Sequence, residues 1–177
     1  IIDEMGELGL FGMTVSEEWG GSDAGFTAFA LATMEIARGD GGLSTIMSVT
    51  SSLVCGIIQK LGTKEQKETY LPSLACGESM GAFCLTEAQA GSDAAMIKTY
   101  ATKVESRYKL NGTKQMITSG RIGKTAIVFA ITKPGAGKKG LSAFIVPMNK
   151  PGFLISKTEE KMGQKASDCC QINFDDV

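Results

Sequence analysis

Leu71-Pro72-Ser73-Leu74-Ala75-Cys76-Gly77-Glu78-Ser79-Met80-Gly81-Ala82-Phe83-Cys84-Leu85 is the stretch in which one periodicity ends and another begins. Upstream of Gly77, apolar residues recur at intervals of three and four, the spacing of one helix face. Phe26, Phe29, Ala30, Met34 and Ala37 make one stripe, and Ile46, Val49, Leu53, Ile57 and Leu61 another. Thr63-Lys64-Glu65-Gln66 has the form of a capping box, opening a helix that carries Tyr70, Leu71 and Leu74. Gly20-Gly21-Ser22-Asp23 reads as the loop before the second helix. Downstream of Gly77 come short runs of β-formers at 80–85, 98–104, 108–110, 113–118, 126–132, 141–147, 152–157 and 170–174. Asn111-Gly112, between two of these runs, reads as a hairpin turn because both residues tolerate positive φ. Residues 134–140, rich in Gly and Lys, read as a loop. Short strands at such regular spacing suit a barrel or sandwich. The expectation is an α+β chain: an all-helical domain over 1–77, then a β-barrel or sandwich domain over 78–177.

Composition narrows the function. Of 177 residues, 43% are apolar and 21% charged, an ordinary balance for a globular chain. Lys and Arg total 18 against 19 for Asp and Glu, so no net field favours nucleic acid or an anionic membrane. No uninterrupted apolar run approaches the ~20 residues of a membrane span. Ile1-Ile2-Asp3-Glu4 lacks the basic start of a signal peptide. The chain opens without Met and stops at Asp175-Asp176-Val177, so a piece of a longer protein is expected. The five cysteines, Cys55, Cys76, Cys84, Cys169 and Cys170, are odd in number, lack metal-ligand spacing and sit mostly among apolar neighbours. They read as reduced thiols in a cytosol-like compartment. Histidine is absent, which removes the usual general base, the usual metal ligand and every Ser-His or Cys-His nucleophile. Chemistry must then rest on carboxylates, hydroxyls, backbone dipoles or a bound cofactor.

Three stretches carry polar groups that could meet a ligand. In Phe83-Cys84-Leu85-Thr86-Glu87-Ala88-Gln89-Ala90-Gly91-Ser92-Asp93 a strand runs into a loop of small and hydroxyl residues, whose backbone N–H groups can approach an anionic or carbonyl-bearing ligand. Its plainer reading is a polar loop in which Thr86 and Asp93 hold their own turns. In Lys114-Gln115-Met116-Ile117-Thr118-Ser119-Gly120 the hydroxyls of Thr118 and Ser119 stand at a strand end, which is equally what an ordinary turn contains. The helix over 46–61 is rich in Ser and Thr, which leaves room for a substrate or, more commonly, for a neighbouring helix. Glu159-Glu160, Asp175-Asp176 and Lys138-Lys139 read as solvated, and Trp19 and Met162 as packing residues.

Taken in order, these stretches carry a resemblance. Leu85-Thr86-Glu87 followed by Gly91-Ser92-Asp93 resembles the first signature of the acyl-CoA dehydrogenase family, and Met116-Ile117-Thr118-Ser119 resembles that family's second flavin contact. Glu17-Glu18-Trp19-Gly20-Gly21-Ser22, Leu61-Gly62-Thr63-Lys64-Glu65-Gln66-Lys67 with Tyr70-Leu71-Pro72, Lys139-Gly140-Leu141-Ser142-Ala143-Phe144-Ile145-Val146-Pro147 and Lys161-Met162-Gly163-Gln164-Lys165-Ala166-Ser167-Asp168 are similar to further segments of the same family. The resemblance extends over essentially the whole chain.

It implies FAD as cofactor and α,β-dehydrogenation of an acyl-CoA to the trans-2-enoyl-CoA, a step of fatty acid β-oxidation, with an electron-transfer flavoprotein as acceptor. Phe83, Cys84, Leu85, Thr86, Gly91, Ser92, Met116, Ile117 and Thr118 would line the cofactor. Leu85 and Thr86 would donate to the pyrimidine end of the flavin and Thr118 to N5. Ser92 would also lie by the CoA arm, and Val49 and Leu53 by the acyl terminus. Residues 46–53 look most like short-chain, butyryl-type members. The family's catalytic base is a glutamate on a C-terminal helical bundle that also completes FAD binding and the homotetramer. That bundle is not represented in 1–177, so no catalytic residue or metal is expected here, and Glu87 is expected to support its loop. The resemblance also implies a bacterial cytoplasm or a mitochondrial matrix. Three departures stand out: Ala88 where Pro is usual, Met116 where an aromatic is common, and Met96 where a small residue is usual. Two alternatives share the fold: a flavin monooxygenase, and a non-catalytic or truncated paralogue.

Overall fold

A computed structural model describes all residues, Ile1–Val177. The chain forms two compact units, Ile1–Ala82 with Glu160–Ser167, and Phe83–Glu159 with Asp168–Val177.

The first unit is helical: α1 (Ile2–Glu7), α2 (Gly25–Gly39), α3 (Gly41–Ser48), a π-helical segment (Val49–Cys55), α4 (Gly56–Leu61) and α5 (Lys64–Ala75). The helix starts follow local chemistry. The Asp40 carboxylate accepts from the N–H groups of Gly42 and Leu43 at 2.6 and 3.0 Å and so caps α3. The Thr63–Gln66 capping box closes in both directions at the start of α5. Met5, Phe11, Phe29, Ile46, Met47 and Met80 form a core cluster. Residues 160–167 join this unit through Gln164, whose side chain accepts from the Thr45 hydroxyl at 3.1 Å.

Both expected helical stripes are corrected. On α2 only Phe29 turns inward, with Ala32 and Ile36, while Phe26, Ala30, Met34 and Ala37 are exposed. This helix is apolar on two faces, so spacing alone cannot choose between them. From α3 to α4 the buried face runs through Ile46, Met47, Thr50, Ser51, Val54, Cys55 and Ile58, leaving Leu53 and Leu61 exposed. The buried positions repeat every four residues, 46-50-54-58 and 47-51-55, which the wider turn of the π-helical segment keeps on one face. The run Gly41–Leu61 is long and apolar enough to cross a bilayer, contrary to the compositional expectation, but half of it is buried as a core helix. Its hydroxyls serve packing. Ser51 Oγ donates to the Phe11 carbonyl at 2.9 Å, and Thr50 Oγ1 accepts from Gly81 N at 3.1 Å. Met162 is fully exposed rather than packed.

The β strands are β1 (Met80–Cys84), β2 (Tyr100–Val104), β3 (Arg107–Thr118), β4 (Gly123–Ile131), β5 (Leu141–Pro147), β6 (Phe153–Thr158) and β7 (Cys169–Phe174), ordered β1-β4-β2-β3-β7-β6 with β5 on β4. The expected helical-then-β architecture is therefore present. β3 is the organising strand. Its first half pairs antiparallel with β2, up to Asn111 opposite Tyr100, and its second half pairs with β7 from Gly112 onward. A strand that changes partner makes the corner joining two sheets.

The expected hairpin at Asn111-Gly112 is corrected by the same feature. The β2–β3 turn lies at Glu105, which takes φ +54°, and Asn111-Gly112 sits inside β3. Gly is needed there for proximity, since a Cβ on Gly112 would lie 2.5 Å from Thr99 Oγ1. Asn111 uses its amide at both ends, donating to Asp176 Oδ1 and accepting from Asp176 N. Turn-forming chemistry is thus spent on anchoring the chain end to the corner.

No cysteine pairs, and only Cys76 is exposed. Burial pushes the thiols of Cys55 and Cys84 up to about 12 and that of Cys170 up to about 11, so these three are poor nucleophiles. Titration of the native chain with a thiol reagent is expected to give one fast equivalent. Cys76→Ser should abolish it, and unfolding should release the other four.

Candidate functional site

The site is built where the segment after β1 lies along β3. Lys114, fully buried on β3, donates from Nζ to the Leu85 carbonyl at 2.9 Å and to Glu87 Oε1 at 2.8 Å. One residue on, Gln115 N donates to the Thr86 carbonyl at 2.9 Å. Glu87 then closes a tight turn, exchanging backbone hydrogen bonds with Ala90. Its carboxylate also accepts from Lys98 N at 2.6 Å, Thr99 N at 3.0 Å and Gln89 Nε2 at 2.7 Å. Glu87 therefore clamps three pieces of chain and has the loop-supporting role expected of it.

These contacts leave a face of donors. The carbonyls of residues 85 and 86 are occupied from within, whereas no hydrogen bond within the chain takes their N–H groups or the Thr86 hydroxyl. Next along β3 the register against β7 shifts between Lys114 and Ile117, a bulge holding Gln115 and Met116. Met116 takes φ +58° and Ser119 φ +60°. Two non-glycine residues in the left-handed region within four positions store strain of a kind that clusters at functional sites. The bulge throws Met116 outward, at 62% exposed, while Ile117 is buried and Thr118 half-buried. Thr118 thus ends the strand on the far side of Met116 from Thr86.

The structure fastens Leu85 and Thr86 to β3 at Lys114 and Gln115, just before the bulge at Met116, while Ile117 and Thr118 pair with Cys170 and Cys169 of β7. Phe83 and Cys84 are the last residues of β1: Phe83 stacks edge-on against Phe129 and the Cys84 side chain is wholly buried. Gly91 and Ser92 lie exposed beyond the Glu87–Ala90 turn, and the Asp93 carboxylate holds its own turn through Ala95 N. In the helical unit, Val49 is half-buried and Leu53 exposed, on the side of the π-helical segment away from Thr50, Ser51 and Val54. Met96 and Ala88 are exposed. Sequence reading passed over Lys114 as a functional residue. Its signal was parity: on β3 it shares a face with the buried Leu110, and a cation on the apolar face of a strand calls for a buried acid.

The electrostatics of the pair are lopsided. Burial would raise the Glu87 carboxyl, but hydrogen bonds from Lys114, Thr99 and Lys98 outweigh it and hold the group at about 2. Burial draws Lys114 down from its ordinary value, against the pull of Glu87. Because the Glu87 value is depressed on folding, its contribution is complete above the ordinary 4.5 and is lost as pH falls toward about 2. Acid titration of folding stability is expected to show a loss on the order of 3 kcal/mol across that window. Glu87→Gln should flatten it, as measured by denaturant unfolding at successive pH values.

Residues 1–78 match the acyl-CoA dehydrogenase N-terminal domain and residues 82–177 its middle domain. An acyl-CoA dehydrogenase of Bacillus subtilis (strain 168) is 42% identical over 177 residues, covering 100% of this chain and 47% of that protein. The human mitochondrial short-chain specific acyl-CoA dehydrogenase is 41% identical over 175 residues, covering 99% of this chain and 42% of its own length. The butyryl-CoA dehydrogenase structure from Megasphaera elsdenii superimposes with a TM-score of 0.95 at 40% identity, over 99% of this chain and 47% of that one. The chain spans about half the length of these relatives. Matched along both halves, with the donor face formed in the second, the chain belongs to the acyl-CoA dehydrogenase family.

Proposed function

We propose that the protein is a FAD-dependent dehydrogenase that converts a short-chain acyl-CoA to the trans-2-enoyl-CoA and passes electrons to an electron-transfer flavoprotein. The observation that carries this reading is the pair of unclaimed N–H groups of Leu85 and Thr86, with the Thr86 hydroxyl, on a segment bonded to β3 just before its strained bulge. That donor set suits a flavin, whose pyrimidine carbonyls and N5 are acceptors. Bound there, FAD supplies the hydride acceptor. The chain's own part is binding and electrostatics. The N–H groups of Leu85 and Thr86 and the Thr86 hydroxyl would donate to the pyrimidine end of the bound flavin, and Thr118 would donate to N5. Met116, exposed at the bulge, would cover the ring edge with a flexible thioether in place of an aromatic plane. Gly91 and Ser92 would serve the pyrophosphate and the CoA arm, and Val49 and Leu53 of the helical unit would serve the acyl terminus.

Glu87 is not the base that removes the α-proton. Its oxygens are committed to Lys114, Lys98, Thr99 and Gln89, and it stays ionised against the buried ammonium. We assign the base to the part of the protein outside these residues, together with the rest of the FAD site and a homotetrameric assembly. In this reading residues 1–77 are the helical domain and 78–177 the β domain. The bacterial and mitochondrial relatives support a cytoplasmic or matrix setting.

The test is the anaerobic visible spectrum of the complete protein before and after butyryl-CoA. Bleaching of an oxidised flavin band is the expected result. A flavin band that persists with every acyl-CoA tried, but bleaches with external reductant and then oxygenates an added substrate, would turn the assignment to a monooxygenase. Absence of flavin after reconstitution would defeat it. In the same protein, Thr118→Val is expected to lower kcat about tenfold or more with KM little changed, because the lost donor acts on the reacting ring rather than on the acyl-CoA.

A further inference from the structure

We propose that Lys114 is a positioning residue of the flavin site, orienting and strengthening the Thr86 N–H as a donor; this rests on the flavin reading above. The argument begins with the peptide plane. In a trans peptide the carbonyl and the following N–H point in opposite directions, and the chain contains no cis peptide. With the Leu85 carbonyl held by Lys114 Nζ at 2.9 Å, the Thr86 N–H is turned away from the buried ammonium and out toward the donor face. The Thr86 carbonyl, held by Gln115 N, likewise turns the Glu87 N–H away, where the Ala90 carbonyl takes it. Lys114 and Gln115 are neighbours on one strand, so a single element of β3 sets two successive peptide planes.

The choice of a cation needs a reason. A buried ion pair is a poor way to gain stability, and apolar residues of similar volume commonly do as well or better. Lys114 supplies what an apolar residue cannot: a charge-assisted bond that polarises the 85–86 peptide and makes its N–H a stronger donor. Glu87 holds the ammonium in place and is itself held by the N–H groups of Lys98 and Thr99. The cation reaches the ligand only through the Leu85–Thr86 peptide, so its effect grows with negative charge on the acceptor. Reduced flavin therefore gains more from Lys114 than oxidised flavin does.

The experiment uses the complete protein, with FAD affinity and flavin midpoint potential as readouts. Lys114→Met leaves Glu87 buried without its cation and endangers folding, so the decisive variant is Lys114→Met with Glu87→Gln. The glutamine removes the orphan charge and keeps an acceptor for Lys98 N and Thr99 N. Circular dichroism and the melting temperature establish that it is folded. Expected are weaker FAD binding and a further tenfold loss for the reduced form over the oxidised one, read as a midpoint about 30 mV lower. Glu87→Gln alone leaves the ammonium on the Leu85 carbonyl without its counter-ion and is expected to give a midpoint between those of the wild type and the double variant. A folded double variant with unchanged potential and affinity overturns the proposal and leaves Lys114 as packing. A wild-type protein that binds no FAD overturns the flavin reading itself, which separates the two failures.

Discussion

An ammonium and a carboxylate 2.8 Å apart, with 0% and 4% of their side chains exposed, constrain the β unit more than any other contact. Taking two charges out of water is expensive, and mutual attraction compensates only when the remaining donors and acceptors are also satisfied. Here they are met by the Leu85 carbonyl on one side and by Lys98 N, Thr99 N and Gln89 on the other. The cost of burial thus becomes a demand on geometry. The segment after β1, the stretch before β2 and the middle of β3 must all arrive at one point. Loss of either charge leaves the other stranded, so the three segments stand or fall together.

The consequences run outward along β3. Lys114 lies on the inward face with Leu110, and between them Gly112 passes so close to Thr99 that no side chain fits. That proximity brings Thr99 N within reach of Glu87 and lets the strand exchange β2 for β7. Immediately after Lys114 the bulge changes the parity of the strand. Without it Met116 would share the buried face of Lys114; with it Met116 turns out and Ile117 turns in. The left-handed conformations of Met116 and Ser119 each cost roughly 1–3 kcal/mol, and around the bulge β3 is held by the β7 ladder and by the Gln115 N–Thr86 carbonyl bond.

Much of this was legible in the sequence, for reasons that differ by element. The change of texture at Gly77 marked the passage from helices to strands, because periods of 3.6 and 2 leave different traces. The Thr63–Gln66 capping box was readable because its chemistry is complete within four residues. Local signals failed where a distant contact decided. Asn111-Gly112 has turn chemistry, but Thr99 and Asp176 claim it for the sheet corner. The 46–61 stripe presumes α-helical spacing, whereas the π-helical segment at Val49–Cys55 repeats its buried positions every four residues and leaves Leu53 outside. The two site motifs were recognised as wholes, yet what ties them together, a cation with a matching acid 27 positions away, has no local signature.

That tie also bears on what the site can select. A face that offered carbonyls and N–H groups equally would hold many polar ligands with similar strength. Here the carbonyls of Leu85 and Thr86 are turned inward and occupied, so only donors remain outside. Donors alone discriminate by charge: a ligand that becomes more negative is held more tightly, and by linkage a ligand held that way becomes easier to reduce. A fixed donor set needs no reorganisation as charge develops, which is the condition under which such dipoles are most effective. The burial that makes Lys114 costly is therefore what fixes the 85–86 peptide, so the geometry of the loop and the direction of its donors depend on one buried pair.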